Sequence, residues 1–135
     1  MKFIEIKAFE LNCHYSHIFD GSNCLAESLK IESPNLKITK VNGEHVKGFS
    51  VVETFYIIRN QKFKYLPIGL NVHFPKLIEL IIKDSSLRFI SKNDFYDLNF
   101  LEFIDFSRNQ IETIPSDVFS TLLELENLED RKSVV

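Results

Sequence analysis

Apolar residues recur along the second half of the chain at a spacing of 24. Leu77, Leu80, Ile82, Leu87, Ile90, Phe95 and Leu98 form one set. The residues 24 further on, Leu101, Ile104, Phe106, Ile111, Ile114, Phe119 and Leu122, are all apolar as well. The residues 24 earlier are Glu53, Tyr56, Ile58, Phe63, Leu66, Asn71 and Phe74, and five of these seven are apolar. In a chain that is 44% hydrophobic, chance supplies about three of seven. Alternation at Ile104 and Phe106 predicts a short strand with both residues inward. Ile111 and Ile114 then fill the core after a bend, and Phe119 and Leu122 face inward from the opposite side. Such units bury their apolar edges only against their neighbours, so they stack.

The middle of one unit reads Leu101-Glu-Phe-Ile-Asp-Phe-Ser-Arg-Asn109-Gln-Ile-Glu-Thr-Ile-Pro115. This fits L-x-x-L-x-L-x-x-N-x-L-x-x-I-P, with Phe and Ile standing for Leu, and resembles the leucine-rich repeat. Asn109 falls where a buried amide bonds the backbone of adjacent turns. The matching position holds Gln61 and Ser85 in the other two units, which predicts a weaker ladder there. The predicted fold is α/β, a short leucine-rich-repeat solenoid. Parallel strands form its concave side, loops and short helical turns its convex side, and an antiparallel β cap covers its N-terminal end. Residues 1–50 are assigned to the cap, 51–128 to about three 24-residue units, and 129–135 to a degenerate end. Residues 117–132 have two readings: a capping helix with Phe119, Leu122, Leu123 and Leu125 inward, or the shortened end of a longer array.

In the first fifty residues, Ile4, Ile6 and Ala8 alternate as a strand. Leu25 to Ile31 and Leu36 to Val41 flank the turn residues Glu32-Ser-Pro-Asn35. Asn42-Gly43 ahead of Glu44-His45-Val46 is a hairpin signal. Cys13 and Cys24 can meet, because Asp20-Gly21-Ser22 lets the chain reverse. Three states are open to them: a disulfide, two free buried thiols, or zinc held with His14 and His17. The adjacency of Cys13 and His14 fits the usual zinc spacings poorly.

Composition narrows the function classes. Sixteen Lys and Arg against nineteen Asp and Glu give a net charge of −3, so no basic excess exists for nucleic acid. Four Gly leave little supply for a Gly-rich nucleotide loop. No nucleophile elbow, zinc-protease helix or phosphate loop occurs. His45 and His73 are read as surface or turn residues, and Asp84, Ser85 and Ser86 as structural. No enzyme and no cofactor are expected. No run approaches the 18 or so apolar residues of a membrane helix. The first 13 residues lack the apolar stretch of about 7–15 residues that a secretory signal needs.

The chain also resembles a group of small secreted insect-type leucine-rich-repeat proteins. The resemblance rests on Cys13 and Cys24, Val41-Asn-Gly-Glu-His45, Val52-Glu-Thr-Phe55, Leu66-Pro-Ile-Gly-Leu70 and Phe74-Pro-Lys-Leu77. It implies an extracellular protein-binding or adhesive role and supplies no catalytic residue.

A binding face follows from the strand alternation. With even residues inward, the odd ones reach the concave surface: Phe55, Ile57 and Arg59, then Glu79, Ile81 and Lys83, then Phe103, Asp105 and Ser107. Phe55, Ile57, Ile81 and Phe103 form an apolar centre, with Arg59, Lys83 and Asp105 around it, as in a protein-binding hot spot. The expected partner is a protein or peptide ligand. The alternatives are self-association in a structural or adhesive role, with a homo-oligomer as its product, and a fragment of a larger receptor ectodomain.

Overall fold

The computed structural model describes residues 5–16, 22–43 and 48–129. In chain order the elements are strands β1 (Lys7–Asn12), β2 (Asn23–Leu25), β3 (Leu36–Asn42) and β4 (Thr54–Ile58), helix α1 (Leu70–His73), and strands β5 (Glu79–Lys83), β6 (Phe103–Asp105) and β7 (Asn127–Glu129). Two short 3-10 turns, Phe49–Val51 and Lys92–Phe95, complete them. The architecture is α/β, with parallel strands in two sheets and few, short helices. The larger sheet has the order β2-β4-β5-β6-β7, and the smaller pairs β1 with β3.

Every neighbouring pair of strands in both sheets is parallel. The register shows how the apolar pattern is used. Phe55 pairs with Leu80, and Leu80 with Ile104; all three are fully buried. Ile57 pairs with Ile82, and both are equally buried. Val52, Leu77 and Leu101 form a third buried column just ahead of the strands. Five of the largest fully buried side chains are Phe55, Phe63, Phe74, Phe95 and Phe106. Four of these rings make tilted or edge contacts, Phe55 with Phe74 at 5.6 Å and Phe95 with Phe106 and the further ring of Phe119 at 6.3 and 5.2 Å. Such offset geometry suits the ring quadrupole. A core assembled from phenylalanine accounts for the high count of this residue.

After β2, β4, β5 and β6 the chain bends through the same unusual conformation. Ser28, Arg59, Asp84 and Arg108 all have φ between 52° and 56°. Asp84 lies 25 residues beyond Arg59, and Arg108 24 beyond Asp84. A left-handed residue costs about 1–2 kcal/mol when it carries a Cβ, so its recurrence marks a bend that the surrounding hydrogen bonds impose. Arg59 N–H donates to Lys83 O at 3.1 Å and Asp84 N–H to Ser107 O at 3.0 Å, one turn ahead in each case.

The first unit is one residue longer than the others. Thr54 pairs with Glu79, 25 residues on, whereas Glu79 pairs with Phe103, 24 on. The extra residue lies just after the bend. Asn60 is followed by Gln61 and Lys62 before the next buried residue, Phe63, whereas Asn109 reaches Ile111 across Gln110 alone. A strand position that slips by one exchanges its faces. Phe55 and Ile57, expected on the surface, are therefore core residues, and the ladder position is held by Asn60 rather than Gln61.

The N-terminal region departs from the expected antiparallel cap. β1 and β3 run parallel, and β3 also meets the 66–68 segment in parallel fashion through Ile38 N–H to Ile68 O at 2.9 Å and Ile68 N–H to Leu36 O at 2.8 Å. The sole antiparallel bridge among the described residues joins His14 and Leu25. β1 turns Leu11 and Phe9 inward and leaves Ile6 57% exposed, so its inward positions are odd where even ones were expected. Residues 25–31 are not a continuous strand: only Asn23–Leu25 pairs along a neighbour, and Ile31 makes a single bridge to Phe63. Glu44, the residue that follows the expected Asn42-Gly43 turn, lies outside the described residues. Gly43 adopts φ 128°, and a Cβ there would collide with the Cys13 carbonyl oxygen. Glycine is required for close backbone approach beside the disulfide. His45 and Val46 lie outside the described residues.

The capping helix over 117–132 is also replaced. Residues 116–124 form successive turns, and the chain then adds β7 beside β6. Residues 130–135 lie outside the described residues.

Candidate functional site

The outward side of the five-stranded sheet is built from the positions between the buried columns. Its first row is Thr54, Glu79, Phe103 and Asn127; its second begins Tyr56, Ile81 and Asp105; Ile58 and Lys83 follow. Glu79, Ile81 and Lys83 alternate along β5, with Phe103 and Asp105 beside the first two on β6; Ile81 is only 7% exposed, and Ser107 lies just beyond β6. Phe55 and Ile57 do not join them, because both are 0% exposed in the core. Arg59 falls at the left-handed bend just past β4 and is exposed. Tyr56, Thr54 and Ile58 take the places assigned to Phe55 and Ile57. One signal pointed to them: a spacing of 25 places Asn60 opposite Ser85.

Local bonds hold this face in order. Thr54 Oγ1 donates to Glu79 Oε1 at 3.1 Å. Asp105 accepts the Ser107 backbone N–H at 2.9 Å and the Ser107 hydroxyl. Lys83 Nζ lies 3.9 Å from Asp105 Oδ2. Asp105 is only 9% exposed, so these partners offset the cost of burying its polar oxygens. Tyr56 is half-buried. Burial pushes its phenol above the ordinary value, Arg59 opposes that shift and Asp105 adds to it. The phenol is therefore a neutral donor at physiological pH. Chemically the face offers two aromatic rings, an aliphatic centre at Ile81, one ammonium and two carboxylates.

The remaining sequence candidates have structural partners. Cys13 and Cys24 form a disulfide, with Cα atoms 5.0 Å apart. Both sulfurs are therefore consumed, and neither thiol nor zinc-thiolate chemistry is available. No group of three or more His, Cys, Asp or Glu suited to a metal ion occurs among the described residues, and His17 lies outside them. The bridge fits an oxidising compartment. His73 Nε2 donates to Ile38 O at 2.9 Å, tying α1 to β3. Ser85 Oγ accepts the Asn60 backbone N–H at 3.0 Å and donates to Lys83 O at 2.9 Å. Ser86 Oγ donates to Gln61 Oε1 at 3.1 Å. Asp84 pairs with Arg108 at 3.1 Å.

No helix among the described residues is long and apolar enough to cross a membrane. Compared with models of known protein families, the chain matches none. No curated protein matches it in sequence either.

Proposed function

We propose that the chain is a leucine-rich-repeat protein, a short solenoid of parallel turns. It binds a protein or peptide partner through the outward face of its strands and carries out no reaction. The repeat reading is supported by parallel registers of 24 and 25 residues, the recurrent left-handed bend, and the Asn109 amide spanning two turns. The observation that carries the binding role is the outward face itself. Tyr56, Ile81 and Phe103 supply an apolar centre, and Glu79, Lys83 and Asp105 flank it. This is the composition of a recognition surface. The disulfide supports an extracellular setting, in line with the resemblance to small secreted insect-type proteins.

The experiment is partner capture by chemical cross-linking from the extracellular fluid of the source. The wild-type chain is compared with a Tyr56→Glu, Phe103→Glu double variant of unchanged unfolding midpoint. Loss of the captured species in the variant supports this face as the binding surface. Equal capture by both proteins overturns it.

A further inference from the structure

A further surface lies beside the sheet, where the chain enters successive strands. Two columns of outward residues flank the buried column of Val52, Leu77 and Leu101. Between them runs a groove of about 620 Å³. Val51, Ile78 and Phe100 supply its apolar surface, and Phe100 is 58% exposed. Glu53, Glu102 and Glu124 line it with three carboxylates, against the single ammonium of Lys76. Among the described residues none of the three carboxylates enters an ion pair. The groove thus presents uncompensated negative charge around an apolar surface.

The backbone there is already committed. Glu53 O accepts the N–H groups of Ile78 and Glu79 at 2.8 and 2.9 Å. Ile78 O accepts those of Glu102 and Phe103 at 2.9 and 3.1 Å, and Glu102 O those of Glu126 and Asn127 at 2.9 and 3.0 Å. A ligand cannot add as a further strand, so side chains must recognise it. The carboxylates do not form a metal cage, since no three-ligand cluster occurs among the described residues. What complements the groove is a segment carrying basic side chains on either side of an apolar one. Glu53 and Glu102 stand two strand spacings apart, roughly 10 Å at ~4.8 Å each. In a polyproline II segment, residues i and i+3 lie on one side about 9.3 Å apart. We infer that this groove binds a basic, extended segment of a partner protein. Two Arg or Lys three residues apart meet Glu53 and Glu102, and an intervening apolar side chain packs on Ile78 and Phe100. This site is separate from the outer sheet face and does not depend on it.

The test uses the full-length oxidised protein and a fluorescein-labelled peptide, Pro-Arg-Pro-Leu-Arg-Pro, in anisotropy titrations at fixed salt. Saturable binding is expected. Glu102→Lys weakens it at least about tenfold and Phe100→Ser at least about threefold, as for the core and rim of a small interface. Tyr56→Ala, on the sheet face, leaves it within about twofold, the scatter of a contact outside the interface. Equal binding of a peptide with Gly in place of Leu and Pro would overturn the proposal, because charge alone would then explain the affinity. Absence of saturable binding, or indifference to Glu102→Lys in a variant of unchanged unfolding midpoint, would overturn it too. A concentration-dependent dimer abolished by Phe100→Ser would assign the groove to a second copy of the chain and equally contradict it.

Discussion

Asn60 and Asn109 occupy the same bend in two turns of the molecule, and both side chains are buried. Their bonding differs. Asn109 Nδ2 donates to Ile82 O at 2.6 Å and Phe106 O at 2.9 Å, while its Oδ1 accepts the Leu87 N–H at 3.1 Å. It joins its own turn to the one before. Asn60 Oδ1 instead accepts the N–H of Lys62, two residues ahead, at 3.2 Å, and its Nδ2 is buried without a partner among the described residues. The extra residue after Asn60 explains the change. It brings a local N–H under the amide, in the short-range pattern that Asn favours at turns. The same amide thus welds turns together in one place and serves only its own bend in the other. The first turn gains its hold elsewhere, from the Cys13–Cys24 bridge next to β2 and from β3 packed on the 66–68 segment.

The variants that bear on this contrast span a wide range of effects. Phe55→Ala empties a fully enclosed site and is expected to lower unfolding free energy by about 3–5 kcal/mol, against about 1 kcal/mol or less for Tyr56→Ala next to it. Urea unfolding of the two variants measures both, and similar losses would break the register. Asn109→Ala leaves Ile82 O and Leu87 N–H orphaned in the interior and should cost ~3 kcal/mol, whereas Asn60→Ala removes one donor that is already unpaired and should cost under ~1 kcal/mol. Equal costs would remove the distinction between the two turns.

Reduction of the disulfide sharpens the other half of the contrast. It should lower stability by about 3 kcal/mol in the chain-entropy account of a short loop. In hydrogen exchange, β2 and β4 should lose protection before β6. Uniform loss along the sheet would mean that the bridge does not secure the first turn in particular. Ser28→Gly relieves a left-handed residue and is expected to stabilise by up to about 1 kcal/mol, offset in part by the freer unfolded chain. Thermal unfolding reads this shift, and destabilisation would contradict the bend geometry.

The smallest effect concerns pH. The Tyr56 phenol ionises above its ordinary value of about 10 because burial disfavours the phenolate. Its contribution to stability is complete below the unfolded value and is lost as pH rises through the raised native value. Ultraviolet titration should show one phenol ionising last, and Tyr56→Phe should remove that step.

Much of this architecture was legible because successive parallel strands and the bends after them repeat their chemistry. The 24-residue spacing from Leu77 to Leu122 identified the strands β5 and β6, their inward residues and the bend at Asn109. The disulfide was one of three readings of two cysteines, and only spatial proximity selects it. The first unit misled because a single residue between Asn60 and Phe63 shifts the frame while leaving the composition apolar on both faces. Phe55, Tyr56, Ile57 and Ile58 are all hydrophobic, so polarity cannot tell inside from outside there. The N-terminal strands were misjudged for a different reason. The pairing of β1 with β3, and of β3 with residues 66–68, depends on contacts about thirty residues apart, which local turn signals do not encode. The close approach of Gly43 to the Cys13 carbonyl is likewise a contact thirty residues apart.

The register of β4 decides which residues a partner meets, and thiol accessibility reads it directly. Ile57→Cys and Tyr56→Cys would each be made in the oxidised protein and exposed to an alkylating reagent under native conditions. The account predicts prompt modification of Tyr56→Cys and modification of Ile57→Cys only on unfolding. The opposite order would return Ile57 to the surface, place Tyr56 in the core and contradict the binding face described above.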